Sequence, residues 1–211
     1  NFVSMIDNRK LRCVAGPIAI IGQSGGLVMA LKRTFEERGL DVGYIITSGN
    51  EDGLTTADYI EYFAGDPQTR VIVSYVESVR DSAKFLKACA MAKAAGKPVI
   101  VVKLGTSDSG RAAALAHTGA LAGSIAAFDA IAGDAGAIRV STLDDVIETA
   151  ELFLHAPLPK GNGLGAITFS GGLRGLLFDQ AATNGLPFPP LAAKTRRRLE
   201  QLLGVGSIIG N

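Results

Sequence analysis

Five short apolar runs alternate along the chain with longer stretches in which apolar residues recur at helical spacing. Pro17–Ile21, Val42–Thr47, Val71–Val76, Pro98–Lys103 and Ala137–Val140 read as strands. Between and after them, Gly25–Arg38, Thr55–Ala64, Arg80–Ala95, Gly123–Gly133 and Thr142–His155 read as helices. Runs such as Val99-Ile100-Val101-Val102 show no polar alternation. Such strands are buried on both faces, as in a parallel sheet covered by helices.

Five strand–helix units in this order predict an α/β fold: a doubly wound, flavodoxin-like parallel sheet of order 2-1-3-4-5. A Pro/Gly-rich stretch, Ala156 to Gly163, follows and reads as a linker. The pattern then restarts. Leu164–Phe169 reads as a strand, and Ser170-Gly171-Gly172-Leu173 repeats Ser24-Gly25-Gly26-Leu27. The register holds without a gap as far as Gly39-Leu40 and Gly185-Leu186, so a second unit of the same kind is expected. The organisation expected is a tail of a preceding domain (1–15), a flavodoxin-like domain (16–155), a linker (156–163) and a second, truncated unit (164–211). A unit of about 50 residues seldom stands alone, so the sequence reads as a piece of a longer polypeptide.

Composition narrows the function classes. With 47% hydrophobic residues and a formal net charge of +1 in 211 residues, the chain has material for a sizeable core and no charge excess directed at nucleic acid or an anionic membrane. The one basic cluster, Lys194-Thr195-Arg196-Arg197-Arg198, lies among leucines at helical spacing and reads as a solvated helix face. Cys13 and Cys89 form neither metal-ligand spacing nor a disulfide framework, which suits a reducing, cytoplasmic compartment. No metal site is expected. Ala112–Phe128 carries no formal charge and holds a G-x-x-x-G match, yet it is shorter than the ~20 apolar residues of a membrane span and includes His, Thr and Ser.

Three features fall where such a sheet binds ligands, beyond the carboxyl ends of its strands. The first is Gly22-Gln23-Ser24-Gly25-Gly26, between strand one and its helix. Free amides at a helix start and the positive end of its dipole attract an anion, and glycine lets it approach the backbone. The same glycines also permit tight strand–helix packing. The register-preserving second copy at Ser170-Gly171-Gly172 favours phosphate, with the two helix starts sharing one dianion. The second is Glu77, which reads either as a carboxylate at a helix start near Arg80 or as the group that orients an imidazole. The third is His117, on Leu115–Gly123, whose small residues cannot enclose it. An imidazole with pKa near ~6.5 is mostly neutral at cytosolic pH and able to accept a phosphoryl group. The other histidine, His155, ends a helical run, where a cation suits the last carbonyls. A flavin-binding alternative is poorer, because the chain has no Trp and four Tyr to flank the ring.

Ser48-Gly49-Asn50-Glu51-Asp52, Asp58–Phe63 with Asp66-Pro67-Gln68-Thr69-Arg70, Lys97-Pro98-Val99 and His117-Thr118-Gly119-Ala120-Leu121-Ala122-Gly123 together resemble the NDP-forming (ADP-forming) acyl-CoA synthetases, relatives of succinyl-CoA synthetase. The resemblance spans nearly the whole chain. It implies that His117 is phosphorylated transiently, that Glu77 steadies it, and that the helix starts at Gln23-Ser24-Gly25-Gly26 and Ser170-Gly171-Gly172 bind phosphate. The reaction implied is acid, ATP and CoA giving acyl-CoA, ADP and phosphate, with magnesium. CoA and nucleotide would be held mainly by CoA-binding and ATP-grasp domains elsewhere in the chain or on a partner subunit, so the stretch read here is expected to be inactive alone. Self-association is likewise implied. Ala116 stands where many relatives carry Ser, a small change in the histidine loop. An alternative is a ligand-sensing regulatory module of the kind fused to protein acetyltransferases; a pure sensor needs neither His117 nor Glu77.

Overall fold

The computed structural model describes residues 15–110, 112, 125–156, 161–204 and 209. The tail before residue 15, Cys13, the histidine loop with His117, and part of the expected linker lie outside the described residues. The chain divides into two compact units, one up to residue 157 and the other from 158.

In the first unit, β1 (Ile18–Gly22), β2 (Val42–Thr47), β3 (Val71–Val76), β4 (Val99–Lys103) and β5 (Ala137–Val140) form one sheet in the order β2-β1-β3-β4-β5. Every neighbouring pair is parallel. The three central strands β1, β3 and β4 are buried throughout, which is why their sequences lack polar alternation. Edge strands β2 and β5 are mostly half-exposed. At the β1–β2 seam the register slips between Ile18 and Ala19, which pair with Val42 and Tyr44. Gly43 takes the extra place, where a Cβ would stand 2.3 Å from the carbonyl oxygen of Gly16.

Side-chain alternation divides the core between two helical layers. Ile18, Ile20, Val71, Val73, Ile100 and Val102 face α1 (Gly25–Glu37), through Val28, Leu31 and Phe35, and the last helix of the unit, Leu143–His155, through Val146, Ile147 and Ala150. Ala19, Ile21, Ile72, Val76, Val99 and Val101 face α2 (Thr56–Gly65), α3 (Ser82–Ala94) and α4 (Ile125–Asp134). The Leu143–His155 helix is α5, and its last residue is the exposed His155.

Local chemistry sets the helix ends. Thr142 and Asp145 cap α5 reciprocally, each backbone N–H donating to the other's side-chain oxygen at 3.0 Å. At α2, Asp58 accepts from the backbone N–H of Thr55 at 2.9 Å and its hydroxyl at 2.8 Å, and Lys84 of α3 donates to the other oxygen at 2.5 Å. Hydrogen bonding from Lys84, then from Thr55, lowers the Asp58 pKa from 3.8 to about 2. A depressed carboxylate contributes stability that is complete above its unfolded pKa and is lost as pH falls through the folded value. Urea unfolding between pH 5 and pH 2 is therefore expected to show a steeper loss of stability for the parent than for Asp58→Asn over the interval from about 4 to about 2. Parallel curves would remove Asp58 from the acid response.

The Asp66-Pro67-Gln68-Thr69-Arg70 stretch is a structural turn. Asp66 accepts from the N–H and hydroxyl of Thr69 at 3.1 and 2.6 Å, and Arg70 donates to the carbonyl of Leu154 at 2.9 Å. Burial pushes the Cys89 thiol up to about 12, so it behaves as an inert core residue.

The second unit carries α6 (Gly171–Thr183) and α7 (Ala193–Leu202). α6 repeats α1 in length, 13 residues each, and both stop before a glycine of positive φ, Gly39 at 75° and Gly185 at 65°. The expected strand Leu164–Phe169 is not formed: the described residues of this unit contain no strand, and Ile167 and Phe169 are exposed. A strand exists through its ladder partner, and the propensity of Ile167, Thr168 and Phe169 for extended chain does not supply one. The basic cluster lies on exposed α7, where Arg196 pairs with Glu200. Among the described residues no helix is long and apolar enough to cross a membrane.

Candidate functional site

β1 and β3 are neighbours, yet α1 leaves β1 toward one face of the sheet and α3 leaves β3 toward the other. This opens the crevice at which doubly wound sheets bind ligands. Gln23, Ser24, Gly25, Gly26 and Glu77 lie on its rim.

At the start of α1, Ser24 is the extended N-cap residue (φ −114°, ψ 117°), but its side chain makes no capping hydrogen bond and the first turn holds no acidic residue. A Cβ added at Gly26 would meet nothing within 4 Å, and one at Gly25 would meet only the Thr47 methyl, at 3.8 Å. Tight packing therefore does not explain these two glycines. It explains Gly22, where a Cβ would stand 2.4 Å from Val28. Among the described residues, the α1 start thus offers a hydroxyl that caps no amide, amides without a side-chain cap and open space, the attributes of an anion site. In the second unit the corresponding turn differs in one respect. The hydroxyl of Ser170 accepts from the N–H of Leu173 at 3.3 Å, while Gly171 and Gly172 are equally open.

Glu77 follows the last residue of β3 and is 4% exposed. It is not the cap of the next helix: Asp81 is, accepting from the N–H of Lys84 at 2.9 Å. Arg80 donates to the carbonyl of Asn50 at 2.8 Å. Burial, and secondly the charge of Glu77, raise the Tyr75 phenol to about 12. His117 lies outside the described residues. The root of its loop does not: Lys103 pairs with Val76 in register, and the N–H of Leu104 donates to the Val76 carbonyl at 2.9 Å. The segment leading toward His117 therefore leaves β4 beside the end of β3, and residues 108–110 and 112 are helical before the histidine stretch.

Sequence reasoning missed two buried charges on this rim. Lys103, 6% exposed, donates to the backbone carbonyls of Glu77 at 2.5 Å and Leu104 at 2.8 Å. Burial lowers its pKa, against an upward pull from Glu77. The available signal was a lysine ending an otherwise apolar, doubly buried strand at the ligand edge. Glu51, 7% exposed at φ 59°, accepts from the Ser48 hydroxyl at 3.0 Å and the Thr56 N–H at 2.9 Å, and so braces the Ser48–Asp52 loop after β2. Among the described residues no group of three or more His, Cys, Asp or Glu is placed to hold a metal ion.

Residues 15–153 match the family described as succinyl-CoA ligase like flavodoxin domain. The chain is 37% identical over 164 residues to the 4-hydroxybutyrate–CoA ligase [ADP-forming] of Nitrosopumilus maritimus, covering 77% of this chain and 24% of that one. It is 34% identical over 171 residues to the acetate–CoA ligase [ADP-forming] I subunit alpha of Pyrococcus furiosus, covering 81% and 37%. Among solved structures, the dinucleotide-forming acetyl-coenzyme A synthetase 1 of Ca. Korarchaeum cryptofilum, in complex with phosphate and ADP, superposes with a TM-score of 0.86 at 26% identity, covering 95% of this chain and 43% of that one. The chain thus spans between about a quarter and somewhat under half the length of these relatives.

Proposed function

The chain belongs to the succinyl-CoA ligase-like flavodoxin family, and from that premise we propose that it is the central, phosphoryl-carrying part of an ADP-forming acid–CoA ligase. In this reading His117 takes the phosphoryl group from an acyl phosphate and passes it to a nucleotide. Glu77 accepts a hydrogen bond from one ring nitrogen of His117 and leaves the other free to attack. Ser24, Gly25 and Gly26, with Gln23 beside them, bind phosphate through the α1 start. Ser170, Gly171 and Gly172 supply a second helix start of the same phosphate-binding kind. CoA, ATP or ADP with magnesium, and the carboxylic acid are held mainly by CoA-binding and ATP-grasp domains of the same chain or a partner subunit, in a cytoplasmic homo-oligomer.

The observation that carries the proposal is the pairing, on one crevice, of a buried carboxylate with an open helix start that no side chain caps. Two relatives whose names specify ADP-forming ligases, and a matching structure solved with phosphate and ADP, support it. Gly26→Asp tests the phosphate site in the assembled enzyme. A carboxylate in the first turn favours the helix, so the melting temperature is expected to hold or rise. It also repels a dianion, and the KM for phosphate in the acyl-CoA-consuming direction is expected to rise roughly 10- to 100-fold, the worth of one charge-assisted hydrogen bond of about 1.5–3 kcal/mol. A parental KM for phosphate in a folded variant removes the α1 start from the site.

A further inference from the structure

Where β3 ends, its backbone leaves the ladder, and four polar groups of the Glu77–Ser78 segment need other partners. Two side chains supply them, one just past the end of β1 and one at the end of β4. The Gln23 amide oxygen accepts from the N–H of Glu77 at 2.7 Å and of Ser78 at 3.0 Å, while its nitrogen donates to the Ser78 carbonyl at 2.8 Å. Lys103 donates to the remaining carbonyl, that of Glu77, and to Leu104. Gln23 stands between β1 and the α1 start. Lys103 is the last residue of β4, and Leu104 opens the loop toward His117.

We propose that Gln23 and Lys103 are positioning residues that clamp the Glu77–Ser78 segment from opposite sides, fixing the carboxylate relative to both the α1 start and the end of β4. The inference rests on the phosphohistidine reading above. Gln23 is a link and not simply a phosphate ligand: its oxygen and one amide hydrogen are committed to backbone, and its own N–H points to the Tyr75 carbonyl at 3.4 Å. A clamp of this kind acts on the turnover step. Loosening it displaces a group whose orientation matters at the ångström level, without removing any contact to CoA or acid.

The test uses the assembled enzyme, with γ-labelled ATP and magnesium, and follows the rate of acid-labile, base-stable labelling together with kcat, KM and thermal melting. Gln23→Met and Lys103→Met are each expected to lower the labelling rate and kcat roughly 10- to 100-fold while KM for CoA and for the acid stays parental. Gln23→Glu retains an acceptor for the two N–H groups and turns the third bond into an oxygen–oxygen contact, so its rate is expected between Gln23→Met and the parent. Folded variants that label at the parental rate overturn the clamp while the phosphohistidine reading stands. So does a Gln23→Glu rate no better than that of a folded Gln23→Met. Should Gln23→Met fail to fold, Gln23→Glu decides alone, and a parental rate overturns the clamp. A parent that carries no base-stable label defeats the underlying reading and this inference with it.

Discussion

Replacement of His117 by alanine is expected to reduce acyl-CoA formation from acid, ATP and CoA at least ~10⁴-fold, because in the proposed relay it removes the atom that carries the phosphoryl group between acyl phosphate and nucleotide. The chain's other histidine, His155, is exposed at the end of α5 and cannot substitute from there. Circular dichroism and the melting temperature are measured alongside and are expected to match the parent. The measurement is steady-state CoA consumption by the assembled enzyme, parent and variant side by side. Retention of more than a few per cent of parental turnover would show that phosphate travels by another route.

Glu77→Gln is the second large effect. The substitution keeps size and hydrogen-bonding capacity and deletes the charge, and Gln23 and Lys103 still hold the backbone of residue 77, so the rim should keep its shape. What changes is the imidazole. An amide can present a donor as readily as an acceptor, so it no longer selects one tautomer, and it does not stabilise the positive charge that develops as the ring is phosphorylated. A carboxylate in this role commands rate factors on the order of 100- to 10,000-fold. Single-turnover labelling from ATP is expected to slow within that range with melting unchanged. Parental labelling in a stable protein would return Glu77 to a purely structural role.

Much of the fold was legible because its signals are local. Val42–Thr47, Val71–Val76 and Ala137–Val140 coincide with the strands expected from their apolar runs, and the order 2-1-3-4-5 follows from their alternation with helices. Where ends differ, one residue explains it. Pro17 and Pro98 stand just before β1 and β4, lacking the N–H a ladder requires, although their carbonyls accept from Val71 and Ile72. α3 begins at Ser82 and not Arg80 because Asp81 is the cap. The missed strand at Leu164–Phe169 is the opposite case: its residues favour extended chain, but pairing is a non-local property that the run itself does not encode.

The positions of the rim residues were legible to the same depth. A glycine pair after a strand and a carboxylate at a strand end announce themselves by position, and Ser24-Gly25-Gly26 and Glu77 share the rim as expected. Gln23 read as a phosphate ligand because it borders the glycines, whereas its partners, the N–H groups of Glu77 and Ser78, become neighbours only when β1 pairs with β3. Lys103 was invisible for the same reason, since the carbonyl it serves lies one strand away. Asp66 and Thr69, prominent in the sequence motif, close a turn and take no place on the rim.

The most direct test of the central claim is to incubate the assembled enzyme with γ-labelled ATP and magnesium, then map the label by peptide. The account predicts an acid-labile, base-stable phosphoryl group on the peptide containing His117, absent from His117→Ala and discharged by ADP. A protein that demonstrably binds ATP yet carries no such label, or carries it on a peptide without residue 117, contradicts the account and favours a ligand-sensing module in its place.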